Sequence, residues 1–244
     1  DADAIICISE TLRQEAISRG ITPEKISIVP NAVNSAETEP EVSELLVEVR
    51  EKIGDSQVVG YIGSLRELEG VDSTADAVSI LRKRDVNAKL FVLSSESGQL
   101  ELLAHCEKLG IDEDSIITGP VPHNQVAPFY ELIDVFVVSR PEKRVTRLVT
   151  PLKPFEAMQA GRALVMSDLP ALAEIVEDGK TGRLYPPDDI EKLADVIEDL
   201  LNNQDKREAL GSAASQWIAE NRTWSKVVRG TTAVYQRLVQ DSGR

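Results

Sequence analysis

The sequence predicts an α/β domain doubly wound on a parallel sheet. Short apolar runs recur through the middle of the chain, and they are continuous rather than alternating, as in strands covered on both faces. Each run leads through a loop into a helical stretch, and strand–helix repetition at this spacing marks βαβ units. The 244 residues are 42% hydrophobic, enough for one large core or two modest ones. In such a domain a ligand sits outside the carboxyl ends of the strands, so chemistry is sought in the loops that follow them.

In order, residues 3–8 form a short apolar run, and Ser9 caps a helix that Gly20 ends. Residues 25–29 are a second strand, 30–34 a turn, and Ser35 to Pro40 a polar, acidic linker. Residues 41–53 have helical periodicity. The alternation then begins: strand 58–62, a glycine-bounded loop, helix 71–84; strand 88–93, helix 99–109; strand 115–118, a short helix near 125–131. Strand 135–138 leads through a long basic loop to a short helix at Pro154. Strand 163–167, a helix near 171–176, strand 183–185 and helix 189–202 complete the unit. The tail is two helical stretches broken near Asn221 to Trp224.

One stretch organises the rest: Thr150-Pro151-Leu152-Lys153-Pro154-Phe155-Glu156-Ala157-Met158. Pro154 biases Lys153 toward an extended backbone, so the helix is expected to start at Pro154. Lysine is a poor N-cap, which leaves free amides, a positive dipole end and an ammonium in one place, a combination suited to a phosphate. Glu156, in the first turn, either favours the dipole or accepts hydrogen bonds from a sugar hydroxyl; physics alone leaves both open.

Charge narrows the classes. Lys and Arg number 27 against 41 Asp and Glu, a net charge of −14 that argues against general nucleic-acid binding. In that acidic chain, Arg140, Lys143, Arg144, Arg147 and Lys153 crowd one loop. They suggest a diphosphate clamp, the alternative being a solvated loop that balances local acid. Cys7 and Cys106 lie in apolar or helical contexts and are expected to be buried thiols. No run approaches transmembrane length and no signal-peptide pattern is present. The chain starts at Asp1, as a piece cut from a longer protein would.

The loop from Gly63 to Gly70 permits close backbone approach to a ligand, although glycines often only turn the chain after such strands. Thr118-Gly119-Pro120-Val121-Pro122-His123 is a rigid turn that could present amides to a flat base; His123 by itself is a cap or surface residue, and His105 a structural one. The Asp112-Glu113-Asp114 run is a solvated cluster, and no metal is assigned. No Ser/His/Asp set, zinc spacing or Walker-type loop is found.

Taken together, these motifs resemble the carboxyl-terminal, donor-binding half of a retaining GT-B glycosyltransferase of family 4 (glycosyl transferases group 1). The likeness rests on Ile5–Ser9 leading into Glu10-Thr11-Leu12, on Ile28-Val29-Pro30-Asn31-Ala32-Val33-Asn34, on Tyr61-Ile62-Gly63-Ser64 with Glu69-Gly70-Val71-Asp72, and on Thr118-Gly119-Pro120-Val121. Val149 to Met158, the most diagnostic stretch, and Glu177 to Gly182 complete it. The pairing of these variants looks like a subgroup of bacterial surface-polysaccharide clusters.

The resemblance implies a Rossmann-like fold, one half of a GT-B enzyme. Residues 1–35 would be a remnant of the amino-terminal domain and linker, 36–215 the nucleotide-sugar domain, and 216–244 a helix crossing back to the missing half. It implies transfer of a hexosyl unit from a UDP- or GDP-linked sugar to an acceptor hydroxyl with retention, without cofactor or metal. The acceptor, a glycan or lipid-linked molecule, would be held by the absent domain, and the isolated fragment would be inactive. The setting implied is cytoplasmic, with peripheral attachment at the inner membrane face as a variant. Lys153 and Glu156 would be catalytic. Gly63, Ser64, Val121, Pro122, His123, Arg140, Arg147, Thr150, Leu152, Lys153 and Glu156 would bind the donor, Glu156 at the ribose and Val121 to His123 near the base.

The sequence departs from the family at Ser64 and Glu69, where the glycine loop usually carries a basic pair. The first glutamate of the family's pair falls at Leu148, and the acid that the subgroup often has one place earlier is Arg147. Replacement cations from the basic loop are therefore expected, with Arg147→Ala weakening nucleotide binding far more than Lys143→Ala. Two other readings stand beside this one: a non-catalytic nucleotide-sugar-binding module, and a nucleotide-sugar epimerase of similar architecture.

Overall fold

The computed structural model describes residues 2–34 and 43–242. The linker expected at 35–40, and with it the first domain boundary, lies outside the described residues. β1 (Ile5–Cys7) and β2 (Ile26–Ile28) pair in parallel as a two-stranded sheet of their own. Between them runs α1 (Glu10–Ser18), whose Leu12 N–H donates to Ser9 Oγ at 3.1 Å. α2 (Glu44–Ile53) is capped in the same way by Ser43 and buries Leu46, Val49 and Ile53 at helical spacing.

The main unit follows as β3 (Gln57–Ile62), α3 (Val71–Lys83), β4 (Ala88–Leu93), α4 (Gln99–Leu109), β5 (Ser115–Thr118), α5 (Ala127–Tyr130) and β6 (Val135–Val138). Then come α6 (Arg144–Leu148), α7 (Lys153–Gln159), β7 (Ala163–Ser167), α8 (Pro170–Ala173), β8 (Arg183–Tyr185) and α9 (Ile190–Leu201), and last α10 (Gln204–Asn221) and α11 (Trp224–Ser242). β3 to β8 form one six-stranded parallel sheet in the order β5-β4-β3-β6-β7-β8. Every residue of β6 and β7 is buried, which is why these strands are continuous apolar runs. The fold is Rossmann-like. The strand order reverses between β3 and β6, the position beside which sheets of this kind take their ligands.

Local differences from the sequence expectation have local causes. α7 starts at Lys153, one residue early, with Pro154 in the first turn. The basic loop holds a one-turn helix, α6, which its polar sequence does not announce. It is held by Thr146, whose Oγ1 accepts from Lys143 N–H at 3.0 Å and donates to Pro141 O at 2.6 Å. The helix expected near 125–131 is a 3₁₀ turn, His123–Gln125, followed by α5. α8 is likewise a single turn. The break in the tail is where Val33 N–H donates to Arg222 O at 2.8 Å and Trp224 N–H to Val33 O at 3.3 Å.

Candidate active site

Gly70 and Ser139 bring the two exit loops together at the reversal. Gly70 is left-handed at φ 69°, and a Cβ there would lie 1.9 Å from Ser139 O, so only glycine fits. Ser139 Oγ donates to Gly70 O at 2.5 Å and shares a hydrogen bond of 2.8 Å with Thr74 Oγ1 on α3. The next residues form a buried ion pair: Arg140 Nε and Nη2 donate to the two carboxylate oxygens of Glu69 at 3.0 and 2.8 Å. Arg140 is 6% exposed and Glu69 9%. Arg140 Nη1 also donates to Val149 O at 3.0 Å, and Ser167 Oγ at the end of β7 donates to Arg140 O at 2.8 Å.

Beyond Val149 the chain enters α7. Thr150 is buried and its hydroxyl has no hydrogen-bond partner among the described residues, while Leu152 is exposed. Lys153 Nζ donates to both oxygens of Glu156, at 3.0 and 2.9 Å, and Tyr130 OH donates to Glu156 Oε2 at 2.8 Å. Lys153 and Glu156 are half-buried, so solvent reaches both. Burial, and then the Glu156 charge, push the Tyr130 phenol well above the ordinary tyrosine value, which keeps it a donor. Burial and the Glu69 charge do the same for Tyr61, whose hydroxyl points to Ser64 O at 3.4 Å.

The site residues expected from sequence fall into three groups. Gly63 and Ser64 lie at the exit of β3, with Gly63 N–H donating to Leu93 O at 3.0 Å. Arg140, Thr150, Leu152, Lys153 and Glu156 lie along the path from β6 into α7. Val121, Pro122 and His123 lie past edge strand β5, and the same segment runs on through α5 to Tyr130, which touches Glu156.

The basic loop is not an open clamp. Arg140 is paired with Glu69, Lys143 with Glu67, Arg144 with Glu15, Arg147 with Glu142 and Lys153 with Glu156. Arg147 is thus a surface cation engaged within its own loop, and Arg140 a buried one. Each cation expected to replace the pair missing from the glycine loop thus already holds a carboxylate. Tyr130 was not singled out from the sequence, because Pro128-Phe129-Tyr130 has the look of an apolar helix turn. Among the described residues no three His, Cys, Asp or Glu side chains are placed to hold a metal ion. His105 is paired with Asp76 at 2.9 Å on the faces of α4 and α3.

Residues 43–217, most of the chain, match the model of the family described as glycosyl transferases group 1. The chain belongs to this family. Among curated relatives of this group 1 chain, the uncharacterized glycosyltransferase MJ1607 of Methanocaldococcus jannaschii is 26% identical over 250 residues, covering 98% of the chain and 61% of the relative. The chain spans about three fifths of the length of the first such relatives. In fold it is similar to sucrose-phosphate synthase from Thermosynechococcus elongatus, with a TM-score of 0.82 and 19% identity over 99% of the chain and 59% of that structure. It is also similar to Anabaena Alr3699/HepE, solved in complex with UDP-glucose, with a TM-score of 0.80 and 18% identity over 98% of the chain and 64% of that structure.

Proposed function

We propose that the group 1 chain is the donor-binding half of a retaining family 4 enzyme, which transfers a hexosyl unit from a UDP- or GDP-linked sugar to an acceptor hydroxyl. The observation that carries this reading is the Lys153–Glu156–Tyr130 cluster, half-open at the entry to α7 beside the reversal of the sheet. Lys153 meets the diphosphate and holds its growing negative charge as the sugar leaves, with the amides near Leu152 as neighbours. Glu156, its orientation set by Tyr130, accepts hydrogen bonds from the ribose. Gly63, Ser64 and Thr150 line the phosphate side, and Val121 to His123 the base. No metal or cofactor is assigned a step.

The domain assignment rests on a second, small core. Val29, Ala32 and Val227 cluster apart from the main one, so β2 and α11 pack on each other. Trp224, Val228, Tyr235 and Val239 are left exposed along α11. These terminal elements belong with the acceptor-binding domain, which covers that stripe, and without that domain the fragment does not turn over. The acceptor is a growing surface polysaccharide or glycoconjugate, worked on at the cytoplasmic side. Among the described residues no helix is long and apolar enough to cross a membrane.

Calorimetric titration with UDP, GDP and ADP, alongside Glu156→Ala, tests the reading. One nucleotide should bind saturably and be lost in the variant; equal binding by the variant would sink it. Glu69, paired with Arg140 where the resemblance expects a member of a basic pair, favours a second reading: a module that binds nucleotide-sugar without turnover. Sugar transfer by the complete protein would discard that reading.

A further inference from the structure

The Glu69–Arg140 pair is an odd feature for a stability device. Taking two charges out of water costs about as much as their attraction returns, so a buried pair is weak evidence of stabilisation. What the pair does hold is geometry. Glu69 comes from the β3–α3 loop and Arg140 from the end of β6, on opposite sides of the reversal. Arg140 is tied at three further points. Its backbone carbonyl takes the Ser167 hydroxyl of β7, the preceding Ser139 is hydrogen-bonded to Gly70, and its Nη1 holds the carbonyl of Val149.

Val149 is the last residue before the segment that carries Thr150, Lys153 and Glu156. Its own N–H is used by Val145 O at 2.9 Å. Pro151 lies between that bond and α7, and Pro154 follows in the first turn of the helix; neither supplies an N–H donor. The segment therefore has few backbone anchors, and the guanidinium is one of them. A planar fork held bidentately by Glu69 has its remaining donors aimed in a fixed direction.

We infer that Glu69 and Arg140 are positioning residues: the carboxylate aligns the guanidinium, and the guanidinium fixes Val149 O and so sets where Lys153 and Glu156 stand against a nucleoside diphosphate. Arg140 on this account acts through the loop and not by touching phosphate. The inference rests on the donor-site reading above for its consequence, but the loop-holding itself is measurable without ligand.

The test is hydrogen exchange followed by mass spectrometry on the wild-type chain, Glu69→Gln, Arg140→Lys and the double variant, each alone and with UDP or whichever nucleotide binds the wild type. Glutamine keeps one hydrogen bond and the fold; lysine keeps the charge but loses the fork. Peptides covering residues 149–158 should exchange at least about tenfold faster in either single variant and no faster still in the double, because both substitutions break one unit. Peptides from β7 and α9 should be unchanged. Nucleotide affinity should fall by about tenfold in each single variant and no further in the double.

Unchanged exchange over residues 149–158 overturns the inference. Equal or tighter binding by Glu69→Gln with weaker binding by Arg140→Lys also overturns it, since the freed guanidinium would then be the phosphate ligand. If the wild type binds no nucleotide while the exchange pattern holds, the donor-site reading fails and the positioning role stands.

Discussion

Tyr130 OH donates a hydrogen bond to Glu156 Oε2 across 2.8 Å, joining the segment after β5 to the first turn of α7. The phenol is almost fully buried and the carboxylate half-open, so the bond fixes a solvent-facing group from behind. Tyr130→Phe should cost about 1 kcal/mol, the usual worth of one such bond when its acceptor keeps another partner, here Lys153. Urea midpoints read the stability change. The same variant should bind the donor nucleotide several-fold more weakly, and wild-type affinity would show that Glu156 does not depend on the phenol.

Lys153 separates folding from binding. Its pair with Glu156 is an i,i+3 contact with both side chains about a third exposed, so solvent screens it. Lys153→Ala should change stability by less than about 0.5 kcal/mol. On the proposed donor-site reading, loss of this charge should nevertheless weaken nucleotide binding by at least about tenfold. A variant that is as stable as the wild type and binds equally well would move the phosphate site elsewhere.

The basic loop shows where sequence reading stops. The strands were legible because both of their faces are buried, and continuous apolar runs record that directly, as in Val135–Val138. Thr150 to Met158 was legible because two prolines, a lysine and a glutamate sit within six residues. The carboxylates that neutralise the loop were not: Glu67 and Glu69 lie in the β3 exit loop, and Arg144 reaches Glu15, 129 residues away. The strand order brings Glu67 and Glu69 beside the loop, and the packing of α1 on α6 brings Glu15. Thr146 and α6 are not legible for a different reason: Val145 and Leu148 make a single i,i+3 pair, too short for a period, and the helix is held by one buried hydroxyl.

These pairings change the expected contrast between Arg147 and Lys143. Each is an exposed cation engaged with a nearby glutamate, Arg147 with Glu142 and Lys143 with Glu67. Either alanine variant should shift nucleotide affinity by less than about twofold, because exposed, paired charges are screened at ordinary salt. A tenfold loss in Arg147→Ala alone would restore the clamp.

Gly70→Ala should be the most damaging small substitution at the site. The left-handed backbone disfavours any side chain, and the added methyl would sit 1.9 Å from Ser139 O, a backbone atom of a buried strand end that cannot move alone. Destabilisation of at least about 3 kcal/mol is expected. Glycines 20 and 110 offer the control, since an added Cβ there meets no atom within 4 Å and only the backbone strain remains. Equal thermal midpoints for Gly70→Ala and Gly110→Ala would show that the two exit loops are not held as tightly as described.

Stability should fall steeply in alkali. Tyr61, Tyr130 and Tyr185 are buried, and burial is the first cause that raises each phenol above its ordinary value, Tyr185 being pushed up to about 12. In the unfolded chain all three ionise near pH 10. Below that pH both states hold the protons and the contribution is complete. Above it the unfolded state sheds protons that the folded state keeps, so stability drops as pH rises, by up to about 1.4 kcal/mol per pH unit for each tyrosine. For Tyr185 the loss levels off once pH passes its folded value. Urea midpoints at pH 8, 9, 10.5 and 11.5 should hold steady over the first two and then fall. Tyr185→Phe should fall less steeply, because phenylalanine has no proton to lose and the Ser167 hydroxyl that bonds Tyr185 also bonds Arg140 O. A midpoint that stays level to pH 11.5 would mean the phenols ionise as readily in the fold as outside it, and that the core around β6 and β8 admits water.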